Sequence, residues 1–431
     1  MGTDVKKTDK KWYFPLVIVL LLAGGFYLWQ GQQTKVIRLG LYAGSSWSVP
    51  NSRANRVLDQ AIQSFESSHP GVKVVYESGI PKEDYSDWLA DQLVKGEQPD
   101  IFLLPEEDFR LLAASHALRP LDDLAAKKKE DFYPTSLAAG LYQGRQYALP
   151  FESNPIMMCV NKTLLEKNGL TLPQSDWTLE DFYRICQAVT KDTNGDGVLD
   201  QYGVTDYNWQ QALVAYQGKL IQKGQLHLDG YEMREALDFV TKLTLLNQHY
   251  EVTAQDFDQG KVAFYPLTLA QYRTYKPYPY HVSKFSNFAW TCIPMPSQIA
   301  TRNATQVSTS LFAISSRAKH IPETEALLQL FCSDSKVQQN LVEKSQGMSV
   351  LPVVMKSQAT AALLKDDDFG ADSLTAERLD TMMKGSVPDF SLSVPVQILE
   401  QVDYLIGQGL KKPDSDLDLV TLQKKIEQTS R

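Results

Sequence analysis

The sequence predicts an α/β protein of two lobes joined by a hinge, and three observations lead there. At 431 residues the chain outgrows a single core, which seldom exceeds about 250–300 residues. Ahead of Tyr142, apolar runs of strand length alternate with helical stretches, the pattern of a parallel sheet covered on both faces. Residues 142–161 (YQGRQYALPFESNPIMMCVN) then form a proline-bracketed segment suited to crossing between lobes. Pro150 and Pro155 each remove a backbone donor and push the preceding residue out of the helical region. Phe151, Glu152, Ser153 and Asn154 are therefore expected to be extended, and a central sheet strand is not expected there. An ordinary surface loop is the alternative reading.

Residues 36–42 alternate as a strand and lead into the loop 43–50. A helix over 53–68 places Val57, Leu58, Ala61, Ile62 and Phe65 on one stripe, and His69-Pro70-Gly71 ends it. Strand 72–76, a helix around 88–95 and strand 101–104 follow. Ligands of such sheets bind beyond the carboxyl ends of the strands. That rule selects Trp47, after the first strand, and the acidic loop after the third. Capping of the next helix is the competing role for Glu106, Glu107 and Asp108, and Glu107 is the one kept as a ligand candidate.

Beyond the crossing, Asn168-Gly169 closes a helix begun at Asn161. Thr178, with Asp181 three residues on, marks another helix start, and Trp177 reads as core. Residues 231–246 form an amphipathic helix with Ala236, Leu237, Val240 and Leu243 inward. Residues 307–315 read as a return crossing, 346–354 as a third, and 356–431 as helical.

A formal net charge of -8 argues against a nucleic-acid partner. The four cysteines, Cys159, Cys186, Cys292 and Cys332, are widely spaced and lack zinc-type pairing. They read as buried thiols or at most one bridge. Residues 14–30 form an apolar run preceded by Lys6, Lys7, Lys10 and Lys11. This predicts a transmembrane signal-anchor, with residues 1–13 cytoplasmic and the bulk of the chain extracellular. A cleaved signal is the alternative, against which stands the bulky Phe26-Tyr27-Leu28-Trp29.

Taken in order, several stretches resemble bacterial extracellular solute-binding proteins of the maltose-binding type (family 1), the substrate-binding components of ABC importers. They are Tyr142-x-Gly144-x-x-Tyr147-Ala148-Leu149-Pro150, Asn161-Lys162-x-Leu164-Leu165-x-x-Asn168-Gly169-Leu170, Trp177-Thr178-x-Glu180-Asp181-Phe182 and Gly260-Lys261-Val262-Ala263. The likeness covers roughly residues 36–354. It implies a periplasmic-binding-protein-like (class II) fold with a ligand cleft, a carbohydrate solute and ABC permease partners. Trp47 and Glu107 fall where that family places ligand contacts in its first lobe, and Asn154 lies in the crossing. Trp209 falls where the family often presents an aromatic residue. The usual Gly-x-Trp after the Gly260 strand is missing, and Tyr272 is the candidate to replace it. Trp290 ends an aromatic-rich run that includes Tyr275, Tyr278, Tyr280, Phe285 and Phe288. Such rings suit the apolar faces of pyranoses, with packing beneath a long loop as the competing role. The lipoprotein cysteine common among relatives is missing after the apolar run.

Residues 192–203 (DTNGDGVLDQYG) carry oxygen donors at alternate positions, Asp192, Asn194 and Asp196, with Gly197 for the turn. Val198 would offer its carbonyl and Asp200 a direct or water-mediated ligand. Gly203 stands where an EF-hand needs glutamate, so an EF-hand is not expected; the loop resembles the isolated Asp-x-Asn-x-Asp-Gly loops of some members of the same binding-protein family, which implies a structural Ca2+, with a metal-free Asx-turn as the alternative.

No nucleophile elbow, His-Glu-x-x-His or phosphate loop is present, so an enzyme is not expected. The resulting assignment gives 36–150 plus 311–348 to the N-terminal lobe and 151–310 plus 349–431 to the C-terminal lobe. The chain is expected to be a monomer that captures a sugar or oligosaccharide and delivers it to a permease. A ligand-sensing module for a sensor kinase, or a membrane-anchored carbohydrate-active enzyme, are the alternatives.

Overall fold

The computed structural model describes residues 34–47, 54–222, 225–248, 250–274, 288–366, 374–389, 394–410 and 417–429. The expected anchor 14–30 and Tyr275, Tyr278, Tyr280 and Phe285 lie outside them. Among the described residues no helix is long and apolar enough to cross a membrane.

Among the described residues ten strands make one continuous sheet: β1 (Lys35–Gly40), β2 (Val72–Tyr76), β3 (Ile101–Leu104), β4 (Ala148–Asn161), β5 (Tyr202–Val204), β6 (Val262–Thr268), β7 (Trp290–Ile293), β8 (Gln306–Ile314), β9 (Met348–Ser349) and β10 (Val387–Pro388). The order is β2-β1-β3-β8-β4-β6-β5, with β7 and β9 also on β4 and β10 on β8. The first three strands pair in parallel, as the alternation of strands and helices predicts. Helix Ala54–Ser68 buries the predicted stripe of Val57, Leu58, Ala61, Ile62 and Phe65. Helix Lys82–Lys95 starts earlier than expected, because Pro81 precedes it and Glu83 and Asp84 suit the positive end of the helix dipole.

The crossing segment corrects the sequence reading. Residues 148–161 are one long central strand, flanked by β8 along its first half and by β6 and β7 along its second. Both prolines are accommodated by local breaks in pairing. Pro150 faces Leu311 where the register shifts, next to a bulge between Ser310 and Leu311. Pro155 falls where the other edge of β4 passes from β9 to β6. The same strand thus belongs to both lobes.

Two cores flank this strand. The second-lobe core gathers Trp177, Phe182, Phe239 and Phe264 beneath helices Leu179–Val189 and Tyr231–Leu246. Thr178 and Asp181 form the expected capping box. The tail assigned to the second lobe, 349–431, divides in its packing. Helices Pro352–Met355, Gln358–Asp366 and Ala376–Lys384 pack against one another and on helices Ser335–Lys344 and Pro134–Ala138. Buried Tyr133 donates a 2.9 Å hydrogen bond to Asp380 there. Helices Val396–Leu410 and Leu419–Thr429 instead join the second-lobe core through Val402, Ile406, Leu419 and Ile426. A single boundary at 349 is too simple for this packing.

Candidate functional site

The alternation of side chains along paired strands builds the floor of the site. Asn154 of β4 faces Ser308 of β8, and Glu152 faces Ser310. Residues two apart share a sheet face. Glu152, Asn154, Ser308 and Ser310 therefore share one side, while Ser153 and Thr309 point to the other. On that other side Ser136, Ser153 and Thr309 link their hydroxyls at 2.8 and 3.3 Å in a dry layer. On the near side lies a cavity of about 310 Å3 floored by Asn154, Ser308 and Ser310.

Its walls come from both lobes. The first lobe contributes Tyr42, Ser46 and Trp47 after β1, Lys82 and Tyr85 from the helix start, and Glu106 and Glu107 after β3. The second contributes Thr268 and Gln271, at the end of β6 and on helix Leu269–Thr274. Asn154 ties floor to wall by accepting a 2.9 Å bond from Ala270 N–H. Tyr42 packs edge-on to Tyr85 at 5.3 Å and donates to Ser46 at 3.0 Å. Lys82 donates to the Ser46 carbonyl at 2.6 Å, which shapes the loop carrying Trp47.

The electrostatics are acidic. Burial, followed by the nearby Asp389, pushes the Glu106 carboxyl up to about 8, with Lys82 opposing. Burial likewise pushes the Tyr42 hydroxyl up to about 12. Ser308 donates to Asp389, at the point where the cleft meets a larger groove on the second lobe. That groove, about 1410 Å3, mixes polar groups such as Gln217, Lys219, Arg302 and Asn303 with apolar ones such as Val214, Ile221, Val387 and Pro388.

Behind the wall sits a hinge clamp. Glu152 is only 3% exposed, and burial raises its carboxyl above the ordinary range. Its Oε1 accepts from Ser345 Oγ and, at 2.9 Å, from Gly347 N–H. Arg273, on the second-lobe helix, donates to the carbonyls of Gly347 at 3.0 Å and Val342 at 2.8 Å. Segment 345–347, just before β9, is thus held from both sides.

Three of the six predicted ligand residues, Trp47, Glu107 and Asn154, come together in this cleft. The other three do not line it. Trp209 is 3% exposed within the second-lobe core, and its indole N–H donates to Asp403 at 2.8 Å. Tyr272 and Trp290 are buried edge-to-face on each other at 5.2 Å. Large rings went inside because each buries more apolar area than any smaller side chain can. Glu106, not kept as a ligand candidate on sequence grounds, is a cleft wall, and helix Phe109–Ala114 begins without a side-chain cap bond from Asp108. Sequence reasoning also missed Tyr42, Lys82, Gln271, Ser308 and Ser310. Alternation within the return crossing could have paired Ser308 with Ser310, and Pro81 could have marked the helix start at Lys82.

The 192–200 loop is exposed and closed by its own hydrogen bonds. Asp192 accepts from the backbone N–H groups of Asn194, Gly195 and Gly197 at 3.1, 2.6 and 2.7 Å, which hold its carboxyl below the usual range. Asn194 and Asp196 accept from Asp196 and Val198 N–H, each at 2.8 Å. Asp200 instead receives Thr193. Among the described residues no three His, Cys, Asp or Glu side chains converge as a metal cage.

Comparison with known proteins agrees with this architecture. The sugar-binding protein MalE from Xanthomonas citri superposes with a TM-score of 0.73 at 16% identity, covering 91% of this chain and 97% of its own. An ABC substrate-binding protein from Listeria monocytogenes in complex with cycloalternan gives 0.64 at 18%, covering 92% and 99%. In sequence, a maltotriose-binding protein from Pyrococcus abyssi is 25% identical over 138 residues, 32% of this chain and 30% of that protein. A binding protein of Brucella abortus is 22% identical over 175 residues, 40% and 42% of the two chains. These sequence matches span less than half of the relatives' length. A profile of the bacterial extracellular solute-binding protein family matches residues 60–371, most of the chain. This protein therefore belongs to the bacterial extracellular solute-binding protein family.

Proposed function

We propose that the protein captures a carbohydrate, a sugar or an oligosaccharide, between its lobes and presents it to the permease of an ABC importer. The observation that carries this reading is the cleft floored by Asn154, Ser308 and Ser310, with walls from both lobes. Its lining mixes hydroxyl, amide and carboxyl groups with the faces of Tyr42 and Trp47, which suits a solute with polar rims and apolar faces. A neutral Glu106 can donate a hydrogen bond, while Glu107 accepts. Ligand touching both walls would favour the closed form, and β4, β8 and β9 allow bending without unfolding either lobe. Relatives named for maltotriose and cycloalternan support the carbohydrate class. Membrane anchoring through residues 14–30 belongs to the same proposal.

A thermal-shift screen of residues 36–431 against a saccharide panel tests it, because a ligand selective for the native state raises the midpoint. One saccharide class should shift the wild type and Trp209→Phe but not Trp47→Ala or Glu107→Ala. If no saccharide shifts the midpoint, the carbohydrate reading fails.

A separable proposal is structural Ca2+ at the 192–200 loop. The alternate oxygens of Asp192, Asn194 and Asp196 support it, as do the left-handed turns at Gly195 and Gly197. The ion would lend rigidity to the loop and take no part in solute capture.

A further inference from the structure

Of the four described cysteines, two are neighbours. Cys159 of β4 lies directly opposite Cys292 of β7 in an antiparallel ladder, and both are fully buried. The kind of pair can be worked out. Lys162 N–H donates to Ala289 O at 2.8 Å while Ala289 N–H turns to Thr163 Oγ1, so 162 and 289 stand at a hydrogen-bonding position of the ladder with one of its two bonds made. Such pairs alternate along an antiparallel ladder. Residues 161 and 290 are then a non-hydrogen-bonded pair, 160 and 291 a hydrogen-bonded one, and 159 and 292 non-hydrogen-bonded again. In that arrangement Cα atoms stand about 4.5 Å apart with their side chains closest, within the separation of about 4.4–6.8 Å that a disulfide spans. The two thiols interact directly, while Cys186 and Cys332 are buried elsewhere, against Gly203 and the Leu149 carbonyl.

We propose that Cys159 and Cys292 are an oxidisable cross-strand pair that forms a disulfide when the chain folds in contact with an external disulfide. The chemistry balances as two exchanges. A Cys159 thiolate attacks one sulfur of the external disulfide, giving a mixed disulfide and one thiolate. Cys292 then attacks the Cys159 sulfur and expels the second thiolate. The two cysteine protons end on the two released thiols, and the external disulfide is the species reduced. Because neither sulfur is exposed in the folded chain, exchange occurs while β7 is unpaired, during folding or on local opening. Strand β7 suits this, since its described ladder is with β4 alone. An extracellular family meets the oxidising conditions under which such a bond persists. The bond would fasten the strand that precedes the second crossing onto the strand that leaves the first. It lies within the second lobe and away from the cleft lining, so it stiffens that lobe without bridging the hinge.

The test is peptide mapping of the full chain refolded in oxidised glutathione, acid-quenched, denatured and alkylated. The expected result is a linked Cys159–Cys292 peptide pair, with alkylation confined to Cys186 and Cys332. Alkylation of all four cysteines, or a bridge through Cys186 or Cys332, overturns the proposal. A second measurement compares melting with and without dithiothreitol. Reduction should lower the midpoint of the oxidised wild type by several degrees and leave the Cys159→Ala/Cys292→Ala double variant unmoved. An equal response in both proteins also overturns it.

Discussion

Gly347→Ala tests whether the hinge clamp shapes the cleft. A Cβ at 347 would stand 2.3 Å from Glu152 Oε1, 2.6 Å from its Cγ and 2.6 Å from Trp47 Nε1. The carboxylate cannot retreat without losing its bonds from Ser345 and Gly347 N–H. A shift of Trp47 away from the new methyl group would disturb the cavity wall it forms. Overpacking of this kind costs about 1–3 kcal/mol, and leaving one buried hydrogen-bonding group unsatisfied about 1–3 kcal/mol more. The expected loss is therefore about 2–6 kcal/mol, read in urea as a lower midpoint at unchanged slope. Ligand affinity should fall as well, since the wall that Trp47 forms is disturbed. Trp47→Leu removes one of the three close contacts, so adding it to Gly347→Ala should restore part of the lost stability in a double-mutant cycle. Stability of Gly347→Ala within about 0.5 kcal/mol of wild type, with unchanged affinity, would refute the reasoning.

Three further outcomes are expected. Trp209→Ala should destabilise by about 3–5 kcal/mol through the cavity it leaves in the core, while the folded fraction binds ligand as wild type does; calorimetric titration below the midpoint checks this. Glu106 is raised from 4.5 to about 8, so the stability it contributes is full below pH 4.5 and is lost as pH rises through about 8. Melting midpoints of wild type should therefore fall relative to Glu106→Gln across that window, and parallel curves would count against a raised Glu106 carboxyl. Calcium should raise the melting midpoint of wild type after EDTA treatment but not that of Asp192→Ala; a wild type indifferent to calcium leaves the loop as a metal-free Asx-turn.

The alternation of strand and helix before Tyr142 was legible because period-2 and 3.6-residue patterns are local properties of the chain. The capping box at Thr178 was legible for the same reason. The central place of 148–161 was not, since prolines argue against a central strand unless a bulge accommodates them. That bulge depends on how Ser310 and Leu311 pair from across the chain. The cleft was half legible. The rule about strand ends found Trp47 and the acidic loop. It could not rank Glu106 against Glu107, because their difference lies in which carboxyl faces Asp389 and Lys82.

The burial of Trp209, Tyr272 and Trp290 bears on how the proposed cleft would select a solute. The three rings spend their apolar surface inside the protein, which leaves Tyr42, Trp47 and Tyr85 as the rings on the cavity wall. Most of the remaining lining is polar, and Asn154, Ser308 and Ser310 stand on paired strands that keep their spacing. A site built this way gains less from stacking than from matched hydrogen bonds. Losing one partner leaves a desolvated group unpaired, at about 1–3 kcal/mol, whereas an added methylene changes binding by a similar amount only in a closed apolar pocket. The groove beyond Asp389 leaves room for a longer solute. Removing a single hydroxyl from a bound saccharide should therefore weaken binding about tenfold or more, while extending it by another ring should be tolerated. Affinities across a series of deoxy and chain-lengthened ligands would check this. A cleft indifferent to deoxygenation but intolerant of length would show that shape, and not the polar floor, sets its selectivity.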